Sequence, residues 1–574
     1  MVKGSDYIVE FLVSHGVTDI FGYPGATVCH LMDSLEKNSE IDNHLNYHEQ
    51  ACAFAACGYA QSSGKLGVAY ANGGPGFTNL VTGIVDAFYD SLPTFFICGQ
   101  VDTTDMVGEK RIRQRGIQEI PISKIASSFT KKSIYVDRIE NLQSCLDEAY
   151  ILATTGRPGP VVLEIPANIQ RATFDPQSRT METSTLCGEK KDEIAIIDNY
   201  LSKAKKPLIL AGNGIKVSGL KKLFNEVVHN LGIPVVFSMP AFDLLEYENP
   251  LNYGFIGNNG FRYSNYILYE SDLIISIGTR LDGKQVGKKT AEFIHGASLL
   301  RIDIDANELS EKISDNEIQV NLDARVVLNY LKDSKEKYIK TSWIEMCDKL
   351  KKCLIDYDLK KYHLILRELL NKASNEAIFT ADVGHHEVYM AQALQLKEKQ
   401  TAIMSLGLAS MGYSLPAAIG AHYVNRSQVI SLSGDGGIQM NIQELQMLTR
   451  DNLPIKVIVF NNNTLGMVRE FQERNFNGIC CQTTEEYGYT VPDFEAIAKA
   501  YKIKYTRLFD NDIASIQKFN YQNSGPELIE LVISEPTYLY PRFARGKRIC
   551  DMEPALDNET KRIVENITYA NVAR

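Results

Sequence analysis

The sequence predicts an α/β protein of three doubly wound parallel-sheet domains. Three observations predict it. Short apolar runs rich in β-branched residues, such as 429–433 and 455–460, alternate with helical segments, as strands covered on both faces do. A strand, a glycine turn, a helix and then Leu-Pro or Ile-Pro before the next strand recur at Gly73-Gly74…Leu92-Pro93, Gly212-Asn213-Gly214…Ile233-Pro234 and Gly436-Gly437…Leu453-Pro454. The 574 residues are too many for one core and suit about three domains of ~100–200 residues.

In chain order, residues 1–17 read as an amphipathic helix without a signal-peptide pattern. Phe21-Gly22-Tyr23-Pro24-Gly25 ends a short strand, and His48-Glu49-Gln50 opens an Ala-rich helix. A strand at 67–71 runs into the turn Asn72-Gly73-Gly74-Pro75-Gly76, followed by a helix through Asp90 and a strand at 95–98. The rigid turn Thr155-Gly156-Arg157-Pro158-Gly159-Pro160 leads into a strand at 161–165 and completes a first domain over 1–175. Residues 173–192 turn polar without an apolar period and read as a linker. Strands at 207–211, 234–237, 273–277 and 299–304 place a second domain at 190–335. A charged helical stretch, 332–343, leads into a third domain at 345–545, and 546–574 form a polar tail.

Composition bounds the function. Hydrophobic residues at 44% and charged residues at 23% are those of a soluble globular chain. A net charge of −10 argues against a general nucleic-acid surface and leaves a small molecule or a protein as partner. The 11 cysteines show no CxxC and no regular framework, which fits reduced thiols in the cytoplasm. No apolar run approaches the ~20 residues needed to span a bilayer.

The chemistry is densest at 428–463. Ile442, Leu445, Met447 and Leu448 predict one helix face, and Asn441 with Glu444 predicts a capping box. Gly434-Asp435-Gly436-Gly437 puts a carboxylate and bare backbone at a strand's carboxyl end, where ligands bind and a helix N-terminus favours an anion. Asn461-Asn462 ends the next strand. One carboxylate, one side-chain amide and a backbone carbonyl suit Mg²⁺ completed by water and phosphate oxygens. GDG alone is a weak motif; the asparagine one βαβ unit later makes it specific.

That pattern resembles the metal–diphosphate motif of thiamine-diphosphate enzymes. Taken with Glu49, the run Asn72-Gly73-Gly74-Pro75-Gly76-Phe77-Thr78-Asn79, the turn at 156–160 and Met411-Gly412, the chain resembles acetolactate (acetohydroxyacid) synthases over roughly residues 5–540. The resemblance implies pyrimidine-binding, central and diphosphate-binding domains, and an active site between two chains of a homodimer or homotetramer. It implies decarboxylation of pyruvate and transfer of the two-carbon unit to a carbonyl acceptor, a second pyruvate giving 2-acetolactate. Glu49 matches the catalytic glutamate that drives the aminopyrimidine to its imino form, and Gln118 matches a polar residue near the reacting centre. Gly25, Pro75, Asn79, Gly384, His385, His386, Met411, Gly434, Gly436, Gly437, Leu465, Gly466 and Met467 match positions that bind thiamine diphosphate. Asp435, Asn462 and the Thr464 carbonyl match the Mg²⁺ ligands. Arg157, Gly212, Asn213, Gly214, Gly257, Asn258, Gly278, Arg280, Asp303 and Ile304 match FAD contacts, the alternative being a central domain that keeps the fold without the flavin.

The departures from the family are uneven. Ala409 replaces a usual Gly, His385 a usual Gln, and Gly283-Lys284 an acidic–arginine pair. On the acceptor side Phe471 replaces a Trp, Ala167 a Lys, and Thr27 and Asn72-Gly73 also differ. Arg111, Arg113 and Arg115 make a loop more basic than the family's, either a solvated face or a reader of an anionic acceptor. Cofactor-handling residues match well and acceptor-side residues poorly. The same pyruvate activation with another acceptor, such as a keto-sugar, therefore stays open. So do a pyruvate oxidase or decarboxylase and a non-catalytic relative.

Overall fold

The computed structural model describes residues 1–177, 191–288, 290, 293–334, 337–521 and 524–569. It contains three six-stranded sheets whose strands all pair in parallel. This is the three-domain α/β architecture that the strand and helix periodicities call for. Most of the linker expected at 173–192 lies outside the described residues.

The first sheet holds β1 (Asp19–Gly22), β2 (Asp42–Leu45), β3 (Gly67–Ala71), β4 (Thr94–Gln100), β5 (Lys132–Tyr135) and β6 (Pro160–Pro166), in the order β2-β1-β3-β4-β6-β5. The second holds β7 (Pro207–Ala211), β8 (Val235–Phe237), β9 (Asn252–Phe255), β10 (Leu273–Ile277), β11 (Ser298–Asp303) and β12 (Glu317–Asn321), in the order β9-β8-β7-β10-β11-β12. The third holds β13 (Ile378–Ala381), β14 (Thr401–Met404), β15 (Val429–Gly434), β16 (Ile455–Asn461), β17 (Lys504–Phe509) and β18 (Glu527–Val532), in the order β14-β13-β15-β16-β18-β17. Numbered within each sheet, the first and third share the order 2-1-3-4-6-5, whereas the second has 3-2-1-4-5-6. The latter is the dinucleotide-binding order, with its crevice where the winding reverses, between β7 and β10. Strands β3, β4, β6, β7 and β10 are buried along their whole length, as crossover helices on both faces require.

The described residues fall into two compact units. One holds those of Met1–Ser184, with Glu376–Glu387 and Thr401–Glu535, and so contains the first and third sheets. The other holds those of Thr185–Asn375, Val388–Gln400 and Pro536–Arg574, and contains the second sheet. Its core includes Trp343, Met346 and Leu350 of the helix Thr341–Leu354. Val564 of the helix Asn558–Tyr569 joins them, so the polar tail lends one apolar face to that core.

Within the first unit, α1 (Glu49–Ser63) is buried without interruption from Ala51 to Gln61. It ends at Gly64, whose φ of 68° is the left-handed C-cap position that glycine takes at least cost. The following helix, α2 (Pro75–Tyr89), starts on a proline whose missing N–H is not needed there. Three further helices matter for the site: α3 (His385–Ala393), α4 (Ser414–Asn425) and α5 (Gly466–Asn475). Small residues let α1 and α4 cross almost backbone to backbone. A Cβ on Gly58 would lie 2.2 Å from the Ala417 oxygen, and one on Gly420 1.8 Å from the Ala55 oxygen.

One local expectation fails. The helix predicted after Asn441 breaks into a 3-10 turn, Ile442–Glu444, and a helix over Leu445–Arg450, and the Asn441 side chain does not cap it. Asn441 Nδ2 instead donates to Gln50 Oε1 and to the Gly412 oxygen, both at 3.0 Å. The Glu444 carboxylate accepts from Asn46 Nδ2 at 2.9 Å and from the Tyr47 N–H at 2.8 Å. Both side chains are engaged by tertiary partners, so neither serves its own helix end. Among the described residues every cysteine is free, and no helix is long and apolar enough to cross a membrane.

Candidate active site

Strands β13, β15 and β16 are neighbours, and their carboxyl ends gather most of the predicted cofactor residues. Asp435 follows β15 and is 1% exposed. Its Oδ2 accepts from the Asn462 N–H at 3.1 Å, just past β16, and its Oδ1 accepts from the Tyr489 hydroxyl at 2.6 Å. Burial pushes the Asp435 pKa up; the Tyr489 hydroxyl and the N–H groups of Asn462, Asn463 and Thr464 pull it back. A cation beside it would offset the burial term, which favours the neutral acid. The donor set therefore fits a divalent metal ion.

Close glycine approaches define the rest of this edge. A Cβ on Gly436 would meet Leu465 Cδ2 at 2.7 Å, the Tyr489 hydroxyl at 3.0 Å and Met411 Cε at 3.4 Å. One on Gly466 would meet His385 Nδ1 at 2.9 Å and Asn462 Nδ2 at 3.1 Å, and ones on Gly384 and Gly434 would meet the His386 ring. One on Gly437 would lie 2.3 Å from Asp382 Oδ2. The structure thus brings together Gly384, His385, His386, Met411, Gly434, Asp435, Gly436, Gly437, Asn462, Leu465 and Gly466. The His385 pKa is lowered by burial, against the raising effect of Glu470, whose Oε2 lies 2.9 Å from His385 Nε2. Thr464 Oγ1 donates to the Thr483 oxygen at 2.7 Å. Met467 is the second residue of α5, and Phe471, one turn on, is 59% exposed and edge-on to Phe476.

Two residues of this edge escaped the sequence reading. Asp382, fully buried after β13, accepts from the Gly412 N–H at 2.7 Å and lies 2.8 Å from His386 Nε2, so it fixes both the Met411 turn and the histidine. The rule that singled out Asp435, a carboxylate ending a buried strand, also fits Asp382 in Ala381-Asp382-Val383-Gly384. Tyr489 lies in a turn 54 positions from Asp435, and no local pattern announces it.

The second group sits on the carboxyl edge of the first sheet, at the reversal between β1 and β3. Glu49 opens α1, where His48 Nδ1 accepts from the Gln50 N–H at 3.1 Å. Its Oε2 accepts from Asn79 Nδ2 at 2.9 Å, and a Cβ on Gly76 would lie 3.3 Å from its Oε1. Asn72, following β3, is the hub beside it. Its Oδ1 accepts from Thr27 N–H at 2.9 Å and Thr27 Oγ1 at 2.7 Å, and its Nδ2 donates to Gln118 Oε1 at 2.8 Å. Gly25 packs on the Asn72 side chain, and Gly74 packs on Gln118, whose own φ is +66°. Pro75 begins α2 between them. The departures at Thr27 and Asn72 are thus partners in one network that fixes Gln118. Asn441 links this group to the third sheet, since it bonds both Gln50 and Gly412.

In the second unit the predicted flavin residues line the carboxyl edge. Gly212 and Gly278 follow β7 and β10 at the reversal point, Gly257 follows β9, and Asp303 ends β11. The Gly214 N–H donates to the Gly278 oxygen at 2.9 Å, and a Cβ on Gly212 would lie 2.1 Å from that oxygen. These glycines let two turns pack on each other, Asn213 opening the short helix that carries Gly214. The Asn258 N–H donates to the Lys284 oxygen at 2.7 Å, the Arg280 oxygen accepts from Arg301, and the Ile304 oxygen accepts from Asn321. Arg157 belongs to the first unit, where its Nε donates to Ser91 Oγ at 2.9 Å.

Comparison with known proteins agrees with this layout. Residues 2–125 match the thiamine pyrophosphate enzyme N-terminal TPP binding domain, 194–331 the central domain, and 382–531 the C-terminal TPP binding domain. The chain is 33% identical to the acetolactate synthase large subunit of Lactococcus lactis over 95% of both chains. It is 31% identical to the acetolactate synthase isozyme 2 large subunit of Escherichia coli over 96% of this chain and 99% of that one. It is 32% identical to the chloroplastic acetolactate synthase 1 of Zea mays, over 96% and 88%. With three domains in family order, the chain belongs to the thiamine pyrophosphate enzymes, as an acetolactate synthase-like, thiamine-diphosphate-dependent enzyme.

Proposed function

We propose that the protein is a thiamine-diphosphate- and Mg²⁺-dependent carboligase that decarboxylates pyruvate and transfers the two-carbon unit to a carbonyl acceptor, a second pyruvate giving 2-acetolactate. The observation that carries this reading is the Glu49 carboxylate, held by Asn79 over Gly76 at the head of α1, in the same unit as Asn462 and the buried Asp435. Bound thiamine diphosphate supplies a carbon nucleophile and an electron sink for decarboxylation. Glu49 exchanges the proton at the aminopyrimidine nitrogen, since its carboxylate is held by Asn79 beside Gly76. Met411 supports the coenzyme from the apolar side with a thioether that adapts to its shape. Asp435, Asn462 and the Thr464 carbonyl hold Mg²⁺, and the bare backbone of Gly434, Gly436 and Gly437 receives the diphosphate. Gln118, fixed by Asn72, faces the acceptor. The names of the curated relatives support pyruvate as donor.

We further propose FAD in the central domain, because its strand order and its glycine pair at the reversal point suit a dinucleotide. A homodimer or homotetramer in the cytoplasm, with sites completed between chains, accompanies this reading, as do domain limits of 1–175, 190–335 and 345–545 with a tail at 546–574.

A second reading keeps pyruvate activation and changes the acceptor to another carbonyl compound such as a keto-sugar. The Thr27–Asn72–Gln118 network favours it, because the residues that depart from the family lie on the acceptor side and are bonded to each other. One experiment separates the readings. The purified protein is given thiamine diphosphate, Mg²⁺ and pyruvate, with and without carbonyl acceptors, and its products are identified. Acetolactate from pyruvate alone supports the first reading, and a ligated product only with an added acceptor supports the second. Free acetaldehyde as the sole product, or oxygen uptake, overturns both.

A further inference from the structure

We infer that the loop at 101–121 recognises a phosphate group on the acceptor, an inference that rests on the second carboligase reading, with an acceptor other than pyruvate. The loop leaves the carboxyl end of β4, next to the strand end that carries Asn72. Lys110, Arg111, Arg113 and Arg115 are all exposed, and none makes a hydrogen bond through its side chain or an ion pair. They stand in a chain whose net charge is −10. Such a concentration of one sign against the charge of the whole molecule focuses an anionic ligand.

The loop holds four acids, of which Asp105 and Glu109 are exposed, but none falls within 110–115, where the four cations lie. Asp102 is paired with Arg171. Glu119 is buried, and its carboxylate accepts from the N–H groups of Val107, Arg115 and Gly116. Gln114 Nε2 also donates to the Glu119 backbone carbonyl at 3.1 Å. These bonds fold the basic run into a fixed bend and hold Arg115 close to Gln118. Three residues span at most about 11 Å of chain. Gln118 is itself tied to Asn72, whose Cβ and the Glu49 Oε1 flank the same point at Gly76, 3.2 and 3.3 Å from a Cβ built there. Guanidinium forks match phosphate oxygens two at a time. The carbonyl that receives the two-carbon unit at Gln118 therefore belongs to a molecule whose phosphate reaches the arginines. A doubly charged phosphate is the group that three free guanidiniums and one ammonium suit best.

The test uses the holoenzyme loaded with thiamine diphosphate, with pyruvate as donor and a matched pair of acceptors, D-glyceraldehyde 3-phosphate and D-glyceraldehyde. We expect a higher kcat/KM for the phosphorylated aldehyde, a preference that shrinks as salt is raised. In the variant Arg111→Gln/Arg113→Gln/Arg115→Gln the ratio of the two kcat/KM values falls about tenfold. An equal ratio in wild type and variant overturns the assignment, as does a wild type without preference. UDP distinguishes an acceptor phosphate from a separate regulator. Inhibition competitive with the phosphorylated aldehyde supports the acceptor site, and a change in rate without competition overturns it. If pyruvate is not consumed at all, the carboligase reading falls by itself. UDP calorimetry on the same holoenzyme still decides the loop, because equal affinity in wild type and variant rejects phosphate binding there.

Discussion

Glu49, to which we assign the proton exchange, is positioned by very few contacts. It sits at the first position of α1 and is oriented by a single amide, Asn79, from the next helix. Replacing Glu49 with Ala leaves the Asp435 edge untouched, so coenzyme binding measured by calorimetry should survive while turnover falls by about 10²–10⁴ or more. Full activity in that variant would reject the assigned role. Ala409 offers a test of stability. Its φ of +60° is a left-handed conformation that costs an L-residue about 1–2 kcal/mol, part of which glycine regains through a more flexible unfolded chain. Ala409→Gly should therefore raise the thermal midpoint, by the equivalent of about 0.5–1 kcal/mol. A lower midpoint would show that the methyl group is needed there. Residues adjacent in sequence were the legible ones. The Gly434-Asp435-Gly436-Gly437 turn and the Asn461-Asn462 pair lie at strand ends that hydrophobic periodicity marks. Tyr489 was not legible, because its bond to Asp435 depends on how a distant turn folds back.

Among the elements, Glu444 joins the third sheet to the head of α1. Burial lifts its carboxyl to about 7 from the ordinary 4.5, against the lowering effect of its bonds to Asn46 and Tyr47. The folded chain holds this proton more tightly than the unfolded one. The corresponding stability is complete below about pH 4.5 and is lost as the pH rises through about 7. Asp86, lifted by burial to about 8, acts with the same sign. The thermal midpoint of the wild type should fall as the pH is raised across neutrality, and part of that fall should vanish in Glu444→Ala, itself less stable. A pH profile unchanged by the substitution would contradict the link. The strands were predictable, since 67–71, 207–211 and 273–277 are continuous apolar runs. The capping box at Asn441 was misread for the converse reason. Its two residues carry the right local pattern, and tertiary hydrogen bonds claim both side chains.

For the whole molecule, the sheet orders carry information that periodicity could not. Repeated glycine turns announce three similar domains, but strand order is a matter of which crossover goes which way, and no residue spells it out. The outer two sheets share one order and the central sheet has another. That difference leads us to expect two separable cofactor dependences. Removing divalent metal with a chelator should abolish thiamine diphosphate binding and leave flavin absorbance unchanged. Asp435→Asn should do the same without a chelator. Loss of both cofactors together would show that the two sites are one cooperative structure.

The crossing of α1 with α4 has a consequence for how the chain is made. Gln61 and its partner Tyr413 are 352 positions apart, with most of the second unit encoded between them. During synthesis at about 5–20 residues per second, the first sheet must wait many seconds, its alanine-rich helix facing water, before its mate leaves the ribosome. A nascent chain stopped short of α4 should therefore be digested by protease within α1, and it is the natural client for a chaperone that shields bare helical surface.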